Sequence, residues 1–148
     1  MEDLARYLDE IVEPTIDDLR RNPTSLRLAF LACVAAFHSI DYLACDSNQV
    51  PRKGRVGNLK DQFRKESEAF ALIDDVAHAF KHVSAGKRTN PNLRAKEVIA
   101  RPPAVWDAAV WDLSRWDDRT GGVTLEEDRQ ADLLDALERT LTFLREET

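Results

Sequence analysis

Almost nothing in this sequence advertises a chemistry. It has only two cysteines, Cys33 and Cys45, in 148 residues, too few for a disulfide framework. They stand about 120° apart around one apolar helical run, so they do not pair within it. They read as reduced residues of a cytoplasmic protein. No CxxC spacing points to zinc. The stretch GKRT at 86–89 lacks the upstream glycine of a phosphate-binding loop, and His78-Ala-Phe-Lys-His82 has alanine where a HExxH metalloprotease needs glutamate. The longest nearly uncharged run, Leu28 to Ile40, falls short of the roughly 20 apolar residues that span a bilayer. The acidic start MEDLARYLDE lacks a signal-peptide pattern. We read no internal repeat and no low-complexity segment.

What is present is the composition of a folded chain. Hydrophobic residues make up 43% and charged residues 32%, enough apolar surface to offset chain entropy in one domain, 1–148. The net charge of −6 is uneven. Segments 52–65 and 81–101 each carry six basic residues against one acid. Such patches attract phosphate-bearing ligands, nucleic acid included. Without aromatic residues in 52–58 or 84–101, a solvated basic surface is the stronger reading.

The organising element is the run Leu26 to Cys45, apolar on nearly all sides, which predicts a helix buried among several neighbours. Thr24 or Ser25 would cap it. Ahead of it, Leu4, Tyr7, Leu8, Ile11 and Val12 make a helical stripe over 3–12. Pro14 either kinks that helix or opens a second short one carrying Ile16 and Leu19. Residues 46–57 read as a long loop, and one helix capped by Asn58 is expected to run to about Val83. Residues 84–103 are irregular apart from a short edge strand at 96–100. Segment 104–125 fits either a helix or a small β-hairpin turning at Gly121-Gly122, and the hairpin is preferred. Thr124 and Glu127 form a capping-box pattern ahead of a last helix ending near Arg145. The expected fold is mainly α, a four- or five-helix bundle around 26–45 with a small β-hairpin within 96–125.

All three histidines fall in the two core helices. His38 and Asp41 are spaced i, i+3. Asp75 or Asp74, His78 and His82 follow at i+3 or i+4 steps, which puts them on one helix face. His38, Asp41, Asp75, His78, Lys81 and His82 therefore form the candidate site. Aspartates would orient imidazoles for acid–base work near neutral pH, and Lys81 would hold an anion. A structural polar network is the stronger reading of the same residues. His78 and His82 also have the spacing of two metal ligands, with His38 or Asp41 as a third. No cofactor is implied.

The cluster has a geometric condition. In a tight hairpin of helices ending at 45 and starting at 59, His38 lies level with residue 66. That is about 18 Å short of His78. An offset of that size is permitted by the intervening loop, which reaches at most about 43–47 Å.

The pair of signatures Phe37-His38-x-x-Asp41-Tyr42 and Asp75-x-x-His78-Ala-x-Lys81-His82 resembles a loose group of small uncharacterised bacterial helical proteins. The resemblance covers about 26–83 and implies a helical architecture without an established activity, with a distantly HEPN-like bundle among its forms. HEPN nucleases place an arginine four to six residues before their histidine. Here Arg27 precedes His38 by eleven and Arg64 precedes His78 by fourteen, a departure that argues against that chemistry. The expected function is a cytoplasmic helical binding or interaction protein, compatible with a homodimer and away from membranes. The alternative is an enzyme or anionic-ligand binder using the histidine cluster.

Overall fold

The computed structural model describes residues 2–45, 54–84, 93–128 and 130–147. Mainly helical, the described residues form six α segments and one two-stranded antiparallel sheet. The N-terminal rod is continuous: α1 (Glu2–Tyr7), a π-helical turn (Leu8–Val12) and α2 (Glu13–Arg21), with right-handed helical angles at both junctions. Pro14 stands in the first turn of α2, just after the widened turn. A proline cannot donate a ladder hydrogen bond, and its ring presses on the preceding turn. The π turn and the proline therefore coincide. Leu4, Leu8, Val12, Ile16 and Leu19 are buried along one side of the rod.

α3 (Leu26–Ala44) is the central helix, as its composition predicts. Ser25 caps it, the Oγ accepting from the Leu28 N–H at 3.3 Å. Small residues, Ala29, Ala32, Cys33, Ala36 and Ala44, make up much of its buried face, so neighbouring backbones approach closely. At 19 residues it is, by length and composition alone, long and apolar enough to cross a membrane. A core helix passes the same test.

The expected single helix over 58–83 is two helices. α4 (Arg55–Glu66) starts four residues earlier than a cap at Asn58 would have it, with Gly54 at its N-cap. It ends at Ser67, whose extended backbone (φ −136°, ψ 111°) breaks the rod. The same serine caps α5 (Glu68–His82), its Oγ accepting from the Phe70 N–H at 3.1 Å. The periodicity of the apolar residues does not reveal this break. Burial supplies its reason: the elbow turns Phe63 edge-on to Phe70 at 5.6 Å and to Phe143 of the last helix at 5.0 Å. Three aromatic rings thus fill one part of the core.

The strands are β1 (Val98–Arg101) and β2 (Gly122–Leu125), paired from Val98 with Leu125 to Arg101 with Gly122. The expected edge strand is thus displaced slightly, and the hairpin is real but its turn is not at Gly121-Gly122. Gly121 instead enters β2 with φ +70°, where a Cβ would press on the Thr24 side chain at 2.8 Å and on Pro103 N at 2.9 Å. Trp111, Leu113 and Arg115 lie in the long connection rather than in a strand.

The capping-box reading of Thr124 and Glu127 also fails. Thr124 is buried in β2, its hydroxyl donating to the Ala131 carbonyl at 2.6 Å. The last helix, α6 (Leu133–Glu146), is capped by Asp132, which accepts from the Leu134 and Asp135 N–H groups. The supposed loop 46–57 lies outside the described residues over 46–53, as does 85–92 of the second irregular stretch. Arg52, Lys53, Lys87 and Arg88 of the two basic segments fall there.

Candidate functional site

The predicted residues divide into two groups. The first is buried and centred on α5. Asp74 and Asp75 are 0% and 3% exposed, not surface charges. Both carboxylates face the guanidinium of Arg64 from α4, which pairs with Asp74 and lies 2.9 Å from Asp75 Oδ1. Arg64 also donates to the Ala71 carbonyl at 3.3 Å. His78 Nδ1 sits 3.6 Å from Asp74 Oδ1. Two charges in a low-dielectric interior require a close counter-charge, and Arg64 supplies it.

Arg64 is the residue that sequence spacing missed. Ten positions separate it from Asp74, about 15 Å along a straight helix. The Ser67 elbow closes that gap. The available signal was Ser67 itself, a capping residue inside an otherwise helical pattern.

The second group is open. His38 Nδ1 lies 2.7 Å from Asp41 Oδ2, with side chains 43% and 50% exposed. Two hollows of about 630 and 680 Å³ between the N-terminal rod and α3 share Tyr7, Ile11, Asp41 and Tyr42. His38 lines the larger. Tyr7 stacks on Tyr42 with ring centroids 4.2 Å apart, and its hydroxyl donates to the Ala35 carbonyl at 2.9 Å. Burial, then the neighbouring Tyr42 and Asp41, push the Tyr7 phenol up to about 12. Four carboxylates (Asp3, Glu10, Asp18, Asp41) and two guanidiniums (Arg6, Arg27) line the groove.

Phe37 links the groups. Its ring meets His38 at 5.6 Å and His78 at 6.0 Å, edge-on in both cases. The 18 Å offset demanded by a single 58–83 helix is the length of α4, about 18 Å for twelve residues. With α5 beginning after the elbow and packed on α3, no further slide is needed to bring Phe37 to His78. His82 stands beside His78 at 5.2 Å between ring centroids, and both His82 and Lys81 are exposed. Among the described residues, no group of three or more His, Cys, Asp or Glu is placed to hold a metal ion. The His78/His82 pair therefore finds no third ligand there.

Arg101, only 5% exposed on β1, makes a second buried ion cluster outside the predicted set. Its Nε donates to Asp118 at 3.0 Å, and its Nη2 lies 3.2 Å from Asp132. Burial raises the Asp118 carboxyl, but N–H groups of Thr120 and Gly121, together with Arg101, outweigh it and hold the group below its ordinary value. No family model, curated protein or solved structure matches this chain.

Proposed function

We propose that this is a small helical binding protein that takes its ligand in the groove beside His38. In this reading Arg64, Asp74, Asp75 and His78 form an internal scaffold. The carrying observation is the burial of Asp74 and Asp75 against Arg64: their charges are already committed inside the protein. The groove, by contrast, is open and offers stacked tyrosines and a histidine–aspartate pair. Its excess of carboxylates favours a neutral or cationic ligand over the anion that Lys81 would hold. A cytoplasmic setting belongs to the same proposal.

The test is a comparison of folded variants against a panel of generic ester, phosphoester and peptide substrates. Wild type and His38→Ala should both be folded and both inactive. Turnover by wild type that is lost in a folded His38→Ala protein would replace binding with catalysis. One observation favours that second reading. Asp41 at 2.7 Å orients the His38 ring through Nδ1, which assigns Nε2 the proton transfer in general acid–base chemistry.

A further inference from the structure

The connection between the strands is repetitive, contrary to the expectation of no repeat. Residues 105–119 read VWDAA, VWDLS, RWDDR. The three periods share one backbone device. Val105, Val110 and Arg115 carbonyls each accept from the N–H three residues on, at 3.1 Å in every case. Asp107, Asp112 and Asp117, third in each turn, all have left-handed backbone, with φ 70°, 66° and 65°. Aspartate is among the few non-glycine residues that visit this region readily. Each turn thus needs its aspartate for shape and displays a tryptophan beside it.

Those tryptophans, Trp106, Trp111 and Trp116, are 95%, 84% and 84% exposed. They are all the tryptophans of the chain. The segment is anchored at both ends. The Ala104 N–H donates to the Asp118 carbonyl at 2.6 Å, and Asp118 is tied to buried Arg101. Ser114 accepts from the Val110 N–H at 2.9 Å and donates to the Pro103 carbonyl at 3.3 Å. A cleft of about 530 Å³ runs along the segment. A fixed frame holding three bare indoles in water is the mark of an interaction surface.

Charge decides the occupant. On 105–119 the exposed carboxylates of Asp107, Asp112 and Asp117 outnumber the exposed guanidiniums of Arg115 and Arg119. That balance disfavours a phosphate backbone. Indole faces attract cations, and carboxylates beside them add an ionic partner. We propose that the 105–117 ladder is a docking surface for an extended lysine- and arginine-bearing segment of a partner protein, its cationic side chains set against the indole faces and the Asp107 and Asp117 carboxylates. The ladder shares no residue with the His38 groove and functions whether or not that groove binds anything.

The ladder contains every tryptophan, so intrinsic fluorescence reads it directly. The full chain is titrated with a short alternating arginine–lysine peptide at physiological ionic strength. The expected result is saturable binding with a shift in tryptophan emission. By polarisation of a labelled peptide, the double variant Trp111→Ala, Trp116→Ala weakens binding about tenfold, and Asp107→Asn with Asp117→Asn about threefold. Circular dichroism confirms folding, and His38→Ala binds like wild type. The proposal is overturned if the peptide does not saturate. It is also overturned if the folded tryptophan variant binds as well as wild type, which would reveal only a general acidic attraction. Tryptophan-dependent binding of oligothymidylate or a neutral oligosaccharide in place of the peptide overturns it too, as does a peptide-free dimer that the tryptophan variant dissociates.

Discussion

Two aspartate–histidine groups, one residue vocabulary, end in opposite environments. Asp74 and His78 are one helical turn apart on α5, and His38 and Asp41 are one turn apart on α3. Asp74 is fully buried and bound to an arginine from another helix, while Asp41 is half exposed and meets the imidazole of His38 on its own helix. The pair on its own helix does not determine its role. What faces it across the core does. The α5 aspartates meet α4, which the Ser67 elbow folds against them, whereas the α3 pair faces the open side of the N-terminal rod.

The sharpest way to break this contrast is to remove the buried cation. Arg64→Met should cost about 3–5 kcal/mol, because two carboxylates are left buried without their counter-charge. Urea unfolding measures it, and a loss below about 1 kcal/mol would show that the cluster is effectively solvated. On the open side, alkali is the probe. The folded-state value of Tyr7 is raised from 10 to about 12. Its contribution is therefore complete below pH 10 and is lost as pH rises through about 12. Absorbance titration of Tyr7, with Tyr42→Phe as control, should place its midpoint near 12, against a normal midpoint if the stack is absent in solution.

Ser67→Ala tests the elbow between the two groups. Losing the cap should cost about 1 kcal/mol, and a rise in stability would mean that a straight 55–82 helix competes with the bent one. The smallest effect is expected for His38→Ala. An exposed pair of this kind contributes about 0–1 kcal/mol, so the variant should unfold within that margin of wild type.

Sequence periodicity was sufficient for the apolar helices. α3 shows in its composition and α6 in its leucines, and both positions agree with the fold. The Ser67 break escapes it because Phe63 and Phe70 keep a seven-residue spacing that suits a straight helix and an elbow alike. The Thr124 box misleads for a related reason: the same threonine hydroxyl satisfies a carbonyl inside a sheet as well as an N–H at a helix start. In the candidate site, His38–Asp41 was legible because its contact is local. Arg64 was not, since its partners lie across a bend. The Trp–Asp period was in plain view but masked by helix-like spacing of Val105, Ala109, Val110 and Leu113.

The sequence by itself determined which segments are apolar enough to be buried, that the chain is mainly helical, and that its histidines stand on two core helices. These follow from local periodicity and residue chemistry. Tertiary structure alone decided that Asp74 and Asp75 are interior charges neutralised by Arg64, that His38 lines a groove, and that the three tryptophans remain outside. Burial and pairing depend on what packs against a residue from far along the chain, and no local pattern encodes that neighbour.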